Sequence, residues 1–568
     1  MPILKRRELQ GQPTGWPVNF PPSLVRIYAA RGVLSPSDIE HRLSRLLSPR
    51  LLGSIETAAA IIGDAILQDK RICITGDYDC DGATGTATAV RGLKLLGAKH
   101  VSFAVPNRFR HGYGLSPGLV EELDPVPDLI VTVDSGTSSF DGIDTAKARG
   151  IAVVVTDHHL PADRLPNADA IVNPNLDRDP FPSKALAGVG VMFYTLLAVR
   201  QYLFEQGIWN GTRPDLTTLL DIVAIGTVAD LVPLDFNNRI LVHAGLQRIR
   251  AGLTYPGIRH LIRGAKRTEE RMVAQDIAFA LAPRINAAGR LEDMTIGVKL
   301  LLADTDQEAE ALALQLEQIN GERKDMQANM IEQAEKIVEK SHGTTGVTVY
   351  DPSWHSGIVG LVASKLKEAL YRPVFAFAPA EPGSSEARGS GRSIPGFHLR
   401  DALAVIDARY PGLMKKFGGH AMAAGMSIEL SKIPTFEEAF DQVAKEQLTE
   451  DLLSAVIYTD GELLPEELSL DFAYLLREQG PWGQAFPEPI FEGTFYVDDY
   501  RVLAEKHVKL DLTDERTSRQ YSAIYFNAVG LRDWDNQQGR VRVVFELNIN
   551  TWRDQDSLQL MVRHIEEA

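Results

Sequence analysis

The sequence predicts a multidomain α/β protein that ends in a small all-β module, and three patterns carry that prediction. Short β-branched runs recur at 71–75 (RICIT), 101–105 (VSFAV), 129–133 (LIVTV) and 151–155 (IAVVV), with starts 30, 28 and 22 residues apart and helical segments between them. That rhythm belongs to βαβ units and a buried parallel sheet. Residues 305–340 read as one long amphipathic helix. Residues 491–560 are rich in Val, Tyr, Phe and Thr with alternating polarity, the pattern of half-buried strands.

Taken in order, the first fifty residues are Pro-rich (Pro13, Pro17, Pro21, Pro22) and irregular before a short helical stretch. Residues 83–96 are helical in character. The longest uncharged apolar run, 185–199, is fifteen residues, short of the roughly 20 that a membrane helix needs. Residues 215–229 (DLTTLLDIVAIGTVA) predict a helix ending at Asp230. In 305–340, Thr305 and Glu308 have capping-box spacing. Leu312, Leu316, Ile319, Met326, Met330 and Ile337 then recur mostly three, four or seven apart, giving a helix of about 50 Å with Gly321 as its weak point. A second α/β segment follows, with strands at 346–350 and 374–378 around a helix at 358–370. The expected organisation is an N-terminal extension (1–50), a catalytic α/β domain (51–304), a connecting helix (305–340), a second α/β domain (341–454) and a β-barrel domain (455–568).

With 44% hydrophobic and 24% charged residues the composition is that of a folded protein. Two cysteines, Cys73 and Cys80, exclude a disulfide scaffold, a Cys-based zinc site and an iron–sulfur cluster. The start, MPILKRRELQ, has no apolar segment behind its charges, so no secretory signal is read there and a cytoplasmic protein without a membrane partner is expected. The net charge is −16, but residues 429–500 hold 17 acidic against 3 basic residues, and 239–300 hold 11 basic against 5 acidic. Bulk charge therefore does not exclude a polyanionic partner.

The acidic residues and histidines of the first domain sit at strand ends. The first run leads into Asp77, Asp79 and Asp81, the third into Asp134-Ser135-Gly136, and the fourth into Asp157-His158-His159, while the 215–229 helix ends at Asp230. In an open parallel sheet the C-terminal ends of strands share the edge where ligands bind. One Asp-x-Asp at a strand end is more often a capped turn, and a lone His-His pair is usually structural. Three such pieces at three strand ends of one sheet reverse that reading. So many carboxylates together require cations, and oxygen plus imidazole donors without thiolate suit Mg²⁺ or Mn²⁺. The set exceeds what one open ion needs and suffices for two, about 3.5–4 Å apart, the arrangement that serves in-line displacement at phosphorus.

Asp77-Tyr78-Asp79-Cys80-Asp81-Gly82, Val133-Asp134-Ser135-Gly136 and Asp157-His158-His159 resemble the motifs of the DHH phosphoesterase superfamily, and 226–230 (GTVAD) resembles its fourth metal motif. Further along, 282–290 (APRINAAGR), 354–360 (WHSGIVG), 389–393 (GSGRS) and 417–420 (FGGH) are similar to the RecJ branch, the single-stranded-DNA-specific exonucleases. The resemblance runs from about residue 70 to the C-terminus. It implies a parallel-sheet DHH domain, a long connecting helix, a DHHA1 domain and an OB-fold.

It also implies roles. Asp77, Asp79 and Asp134 would surround one ion, and Asp81, Asp134, His158 and Asp230 the other, with Asp134 bridging and His159 beside the scissile phosphate. Thr75 stands where smaller members of the superfamily carry a ligand His, so Asp77 is the expected substitute. Cys80 is expected to pack inertly between ligands. Phosphate or strand contacts are expected from Arg108, Arg284, Asn286, His355, Ser356, Ser390, Arg392, Gly418, Gly419, His420, Lys506 and Lys509. Forked arginines match phosphate oxygens, 389–393 reads as a flexible loop closing on a phosphate, and the Gly418-Gly419 pair permits close backbone approach or simply a turn. The implied activity is 5′ to 3′ hydrolysis of single-stranded DNA to mononucleotides by a monomer, with single-strand-binding protein and a RecQ-type helicase as partners in recombination and mismatch repair. Two rivals remain at this stage, a small-molecule phosphatase of the same superfamily and a non-catalytic replication scaffold.

Overall fold

The computed structural model describes residues 2–340, 343–529 and 539–568. Residues 341–342, at the expected start of the second α/β domain, and 530–538, within the expected β module, lie outside the described residues. The chain forms two compact units, one of Lys5–Gly289, Asp293–Leu316 and Tyr458–Ala568, the other of Met1–Leu4, Arg290–Glu292 and Glu317–Ile457. Among the described residues no helix is long and apolar enough to cross a membrane.

After the short β1 (Ile3–Arg6), the strands β2 (Ile72–Thr75), β3 (Val101–Ala104), β4 (Leu129–Val133), β5 (Ala152–Thr156) and β6 (Ala170–Val172) build one parallel sheet in the order β3-β2-β4-β5-β6. Strands β2 and β4 are buried along their whole length, which is why they read as uninterrupted apolar runs rather than alternating ones. The chain leaves β2 to form β3 on one side and returns to form β4 on the other. The crevice at that reversal, outside the C-terminal ends of β2 and β4, is where such sheets hold ligands. Residues 188–199 of the apolar run lie in the Gly188–Glu205 helix, buried over most of its length, as a helix apolar on all sides must be. Residues 216–219 form a 3₁₀ turn, not the first turn of the expected helix, because the Asp215 carboxylate accepts the Thr217 N–H at 2.9 Å; the α-helix is Leu220–Ala229.

The Asp306–Lys340 helix begins in one unit and ends in the other. The Thr305 hydroxyl accepts the Glu308 N–H at 3.3 Å, as the capping-box spacing predicted. Gly321 does not break it: the Cβ position there faces open space, and one glycine costs only about 1 kcal/mol relative to alanine.

In the second unit β7 (Val347–Tyr350), β8 (Val374–Pro379), β9 (Glu386–Arg392), β10 (Met414–Gly419) and β11 (Ala423–Glu429) form a sheet ordered β10-β11-β9-β8-β7. The 389–393 segment expected as a flexible loop is mostly β9, bonded to β8 on one side and β11 on the other. Its glycines serve packing. A Cβ on Gly389 would lie 2.4 Å from the Phe377 ring, and one on Gly391 would lie 2.5 Å from the Phe375 ring. Ser390 and Arg392 alternate onto the opposite, partly exposed face.

The first unit resumes through β12 (Val456–Thr459), which pairs with β1, and ends in a closed barrel of β13 (Phe491–Leu503), β14 (His507–Asp514), β15 (Gln520–Tyr525), β16 (Arg540–Trp552) and β17 (Gln555–Glu567), ordered β13-β14-β15-β17-β16. The parallel-sheet domain, long helix, smaller α/β domain and terminal barrel of the expected fold are thus all present. Residues 5–50 pack into the same unit as the barrel. The Tyr28 ring stacks on Trp16 and Trp482, with centroids 5.6 and 5.9 Å away. Buried Arg31 donates to both oxygens of Asp460, at 2.6 and 3.0 Å. Part of the acidic 429–500 stretch is thereby explained: Asp460 and Glu492 are partners of Arg31 and of Arg6 and Arg542, not a free anionic face. The basic 239–300 stretch is likewise engaged, Arg267 with Asp276 and Arg271 with Asp556 of β17.

Candidate metal centre

Local devices place four of the acidic residues at the crevice. Asp79 is the N-cap of the Cys80–Leu95 helix, its Oδ1 accepting the Gly82 N–H at 3.0 Å, the ordinary use of aspartate at that position. Asp81 lies in the first turn, fully buried, and its two oxygens accept the N–H groups of Gly188 (2.6 Å) and Val189 (2.9 Å) at the start of the Gly188–Glu205 helix. Asp134 follows β4 in a left-handed conformation, φ +57°, a strain of about 1–2 kcal/mol for a non-glycine residue. Gly188 makes room for it, since a Cβ there would meet the Asp134 Cβ at 2.5 Å. Asp230 is the C-cap of the Leu220–Ala229 helix. His158 and His159 follow β5.

These groups converge. Asp77, Asp79 and Asp134 each offer a ligand atom within 4.8 Å of the others; Asp81, His158 and Asp230 form a second such group, and Asp134, His158 and His159 a third. His158 Nε2 lies 3.0 Å from Asp134 Oδ1, 3.5 Å from Asp230 Oδ2 and 3.8 Å from Asp81 Oδ2. Yet His158 Nε2, Asp134 Oδ1 and Asp77 Oδ1 are buried without a hydrogen-bond partner. Buried polar atoms are ordinarily bonded, so donors that face one another unbonded fit cations held between them. The electrostatics agree. Burial, reinforced by the neighbouring carboxylates, pushes Asp77, Asp134 and Asp230 well above the usual range and Asp81 to about 7. Burial and the His159 charge lower His158 to about 4, leaving it neutral as a ligand must be. A cluster that cannot ionise alone but is made of hard oxygens and one neutral imidazole can hold Mg²⁺ or Mn²⁺.

Comparison with known proteins matches this chain to three family models: the DHH family N-terminal domain over 71–227, the DHHA1 domain over 343–446 and the RecJ OB domain over 459–564. It is 46% identical over 573 residues to the single-stranded-DNA-specific exonuclease RecJ of Escherichia coli, covering 99% of this chain and 98% of that one. The chain belongs to the RecJ family. A RecJ from Bacillus subtilis is 35% identical over 91% of this chain and 64% of its own length. The crystal structure of RecJ in complex with Mn²⁺ from Thermus thermophilus superposes with a TM-score of 0.79 at 30% identity, covering 96% of this chain and 76% of that one; that protein has also been solved with Mg²⁺.

The other residues expected to act in this RecJ-family chain fall into separate places. Arg108 lies 4.4 Å over the Tyr78 ring beside the metal loop. Asn286 accepts the Cys80 N–H at 2.9 Å, so its side chain ties a helix to that loop. Arg284 donates to the Ala280 carbonyl at 2.6 Å and, at the 3.5 Å limit, to that of Gly264. In the second unit Ser390 and Arg392 share a face beside Gly360, near the start of the Val359–Leu370 helix. Arg392 donates to the Gly391 carbonyl and has no ion pair among the described residues; burial lowers its pKa. His355 Nδ1 accepts the Gly357 N–H ahead of that helix, and Ser356 is half-buried beside it. Gly418 and Gly419 end β10. Gly419, φ +141°, is required because a Cβ there would lie 2.5 Å from the Ala423 carbonyl oxygen, and exposed His420 sits in the hairpin. On the barrel Lys506 is exposed in the β13–β14 turn, and Lys509 pairs across strands with Arg501. Cys80 is buried in the core, with its thiol pKa raised by burial and by Asp79.

Three residues that touch the site carried no separate signal in the sequence: Asp157, Gly188 and Tyr113, whose hydroxyl donates to the Asp134 carbonyl at 3.1 Å. Asp157, read only as part of a motif, accepts from His159 Nδ1 at 2.8 Å and from the Thr137 N–H at 2.9 Å. Burial works against its charge, but the His159 bond and charge hold it down at about 2. Burial likewise works against His159, and Asp157 raises it to about 8. Gly188 was hidden in an apolar run judged only against a membrane span. Tyr113 carried no signal, because a tyrosine in a Gly-rich loop has no spacing to mark it.

Proposed function

We propose that this chain is a metal-dependent single-stranded-DNA-specific exonuclease that degrades 5′ to 3′ to mononucleotides, in DNA recombination and repair. The observation that supports it best is the convergence of two adjoining donor groups in which Asp77 Oδ1, Asp134 Oδ1 and His158 Nε2 are buried without a hydrogen-bond partner, in a chain 46% identical over nearly its whole length to an exonuclease of that name. In this reading Asp77, Asp79 and Asp134 hold one ion, and Asp81, Asp134, His158 and Asp230 the other. When bound, the two divalent cations supply activated water and neutralise charge on the phosphate. The chain does the rest. Two backbone N–H groups immobilise Asp81, so it presents a fixed donor. His158 stays neutral. Asp157 holds His159 Nδ1–H, which anchors one edge of the ring and leaves Nε2 for the scissile phosphate. Arg392 and Ser390 take a phosphate; a half-buried guanidinium with no carboxylate partner among the described residues is suited to an anionic ligand. Arg501 and Lys509, opposed across β13 and β14 next to the acidic pair Asp499 and Asp511, hold the strand on the barrel together with Lys506.

Residues 51–304 are then the catalytic domain, 341–454 a phosphate-binding domain and 455–568 the strand-holding domain. A replication scaffold would be expected to lose ligands, and here all six converge. A small-molecule phosphatase has no need of the barrel. By family resemblance we also assign a cytoplasmic monomer working with single-strand-binding protein and a RecQ-type helicase, which co-purification with each purified partner tests. The activity is tested with 5′- and 3′-labelled single strands in the presence of competing pyrophosphate. Release of the 5′ label first, as mononucleotide and undiminished by pyrophosphate, is expected. Pyrophosphate hydrolysis with intact strands contradicts the proposal.

A further inference from the structure

Tyr113 stands between two elements of the metal centre without belonging to either. Its hydroxyl donates to the Asp134 carbonyl at 3.1 Å and lies 3.3 Å from His159 Nδ1 and 3.2 Å from His159 Nε2. A hydroxyl almost equidistant from both ring nitrogens is in line with neither. It therefore does not bridge a ring proton; it presses against the side of the imidazole between them. The Asp157 bond to Nδ1, at 2.8 Å, anchors one edge of the ring but leaves rotation about that bond open. The Tyr113 hydroxyl blocks that rotation. The Tyr113 ring is itself held edge-on against His159 (centroids 5.7 Å, 80°) and Tyr78 (6.0 Å, 84°), with the Arg108 guanidinium 4.4 Å over Tyr78 on the far side. Arg108, Tyr78, Tyr113 and His159 thus form successive contacts, and Tyr78 lies between the metal-loop residues Asp77 and Asp79 in the chain.

We propose that Tyr113 is a positioning residue for the hydrolysis: its hydroxyl braces the His159 ring in the orientation that meets the scissile phosphate. This rests on the exonuclease reading and on His159 acting in it. Partners of this outlying kind typically contribute about 10–100-fold to activity. Tyr113→Phe removes only the hydroxyl, with its bond to the Asp134 carbonyl, and keeps the ring packing; Mn²⁺ affinity reports whether the metal donors stay in place.

The test uses the full-length Mn²⁺-loaded protein, the Tyr113→Phe and His159→Ala variants and their double, in single-turnover cleavage of a labelled single strand. Tyr113→Phe is expected to slow cleavage about 10-fold, with Mn²⁺ affinity and strand affinity within two-fold of native. Adding it to His159→Ala should slow cleavage no further. A native rate in Tyr113→Phe overturns the inference. So does a loss that tracks Mn²⁺ affinity, or a double variant slower than His159→Ala by the same factor, which would place the effect at the Asp134 carbonyl. Where His159→Ala turns over too slowly to compare, the crystal structure of Mn²⁺-loaded Tyr113→Phe decides: a His159 ring kept in its native orientation overturns the inference, and a rotated or spread ring supports it. Failure of the exonuclease reading is distinguishable, because the native protein would then leave the strand intact.

Discussion

Asp134 is in a strained conformation, sits against a glycine that can be nothing larger, and lies beside both donor groups. Asp134→Ala should leave the fold intact, since it relieves buried charge, and lower turnover by at least about 10²-fold with weakened binding of Mn²⁺; calorimetric Mn²⁺ titration beside the cleavage assay checks both. Near-native turnover in the folded variant contradicts the assignment. A second residue-scale prediction concerns Glu488, at a cleft of about 1060 Å³ between the 243–276 region and the barrel. Burial and the Glu546 charge raise its carboxyl to about 7. The folded state keeps that proton up to about pH 7, while the unfolded chain releases it above its ordinary value, so stability falls as pH rises through that window and the loss is complete above it. Glu488→Gln should therefore stabilise the protein by about 1–2 kcal/mol at pH 8 and by little at pH 4.5. Thermal denaturation at the two values checks this, and an equal difference at both contradicts the burial argument.

At the scale of elements, the barrel and the first fifty residues are one structural problem. Asp460→Ala leaves Arg31 buried without its carboxylate and should cost about 3–5 kcal/mol, read by denaturant unfolding; a change below 1 kcal/mol would show that the pair is solvated in solution. For the same reason the barrel's function is better probed by surface substitutions than by removing 455–568, which would also expose Tyr28 and its stacked rings. The elements legible in the sequence were those with a strong period. The 129–133 run is β4 residue for residue, because a fully buried parallel strand is apolar throughout. The long helix begins at its cap. What was not legible depends on partners distant in sequence. Gly389 and Gly391 look like a loop until Phe375 and Phe377 are seen to fill the space above them. The Pro-rich start looks peripheral until Tyr28 meets Trp482. Of the site, the carboxylates and histidines were legible because strand ends gather them; Tyr113 and Gly188 were not, since contact alone gives them a role.

For the whole molecule, two places share the proposed work: a metal crevice at the end of a parallel sheet and the Arg501–Lys509 cross-strand pair on a barrel. Lys509→Ala combined with Arg501→Ala should weaken binding of long single strands and reduce the slope of log affinity against log salt by roughly 1–2. Cleavage of very short oligonucleotides should change little. Filter binding across salt concentrations checks this, and an unchanged slope would place the strand elsewhere. The central claim, that two cations sit on either side of Asp134, is tested most directly by anomalous diffraction from crystals of the full-length protein grown with Mn²⁺. Two peaks about 3.5–4 Å apart, one against Asp77 and Asp79, the other against Asp81, His158 and Asp230, with Asp134 touching both, is the predicted result. A single peak, or two that do not share Asp134, would contradict it.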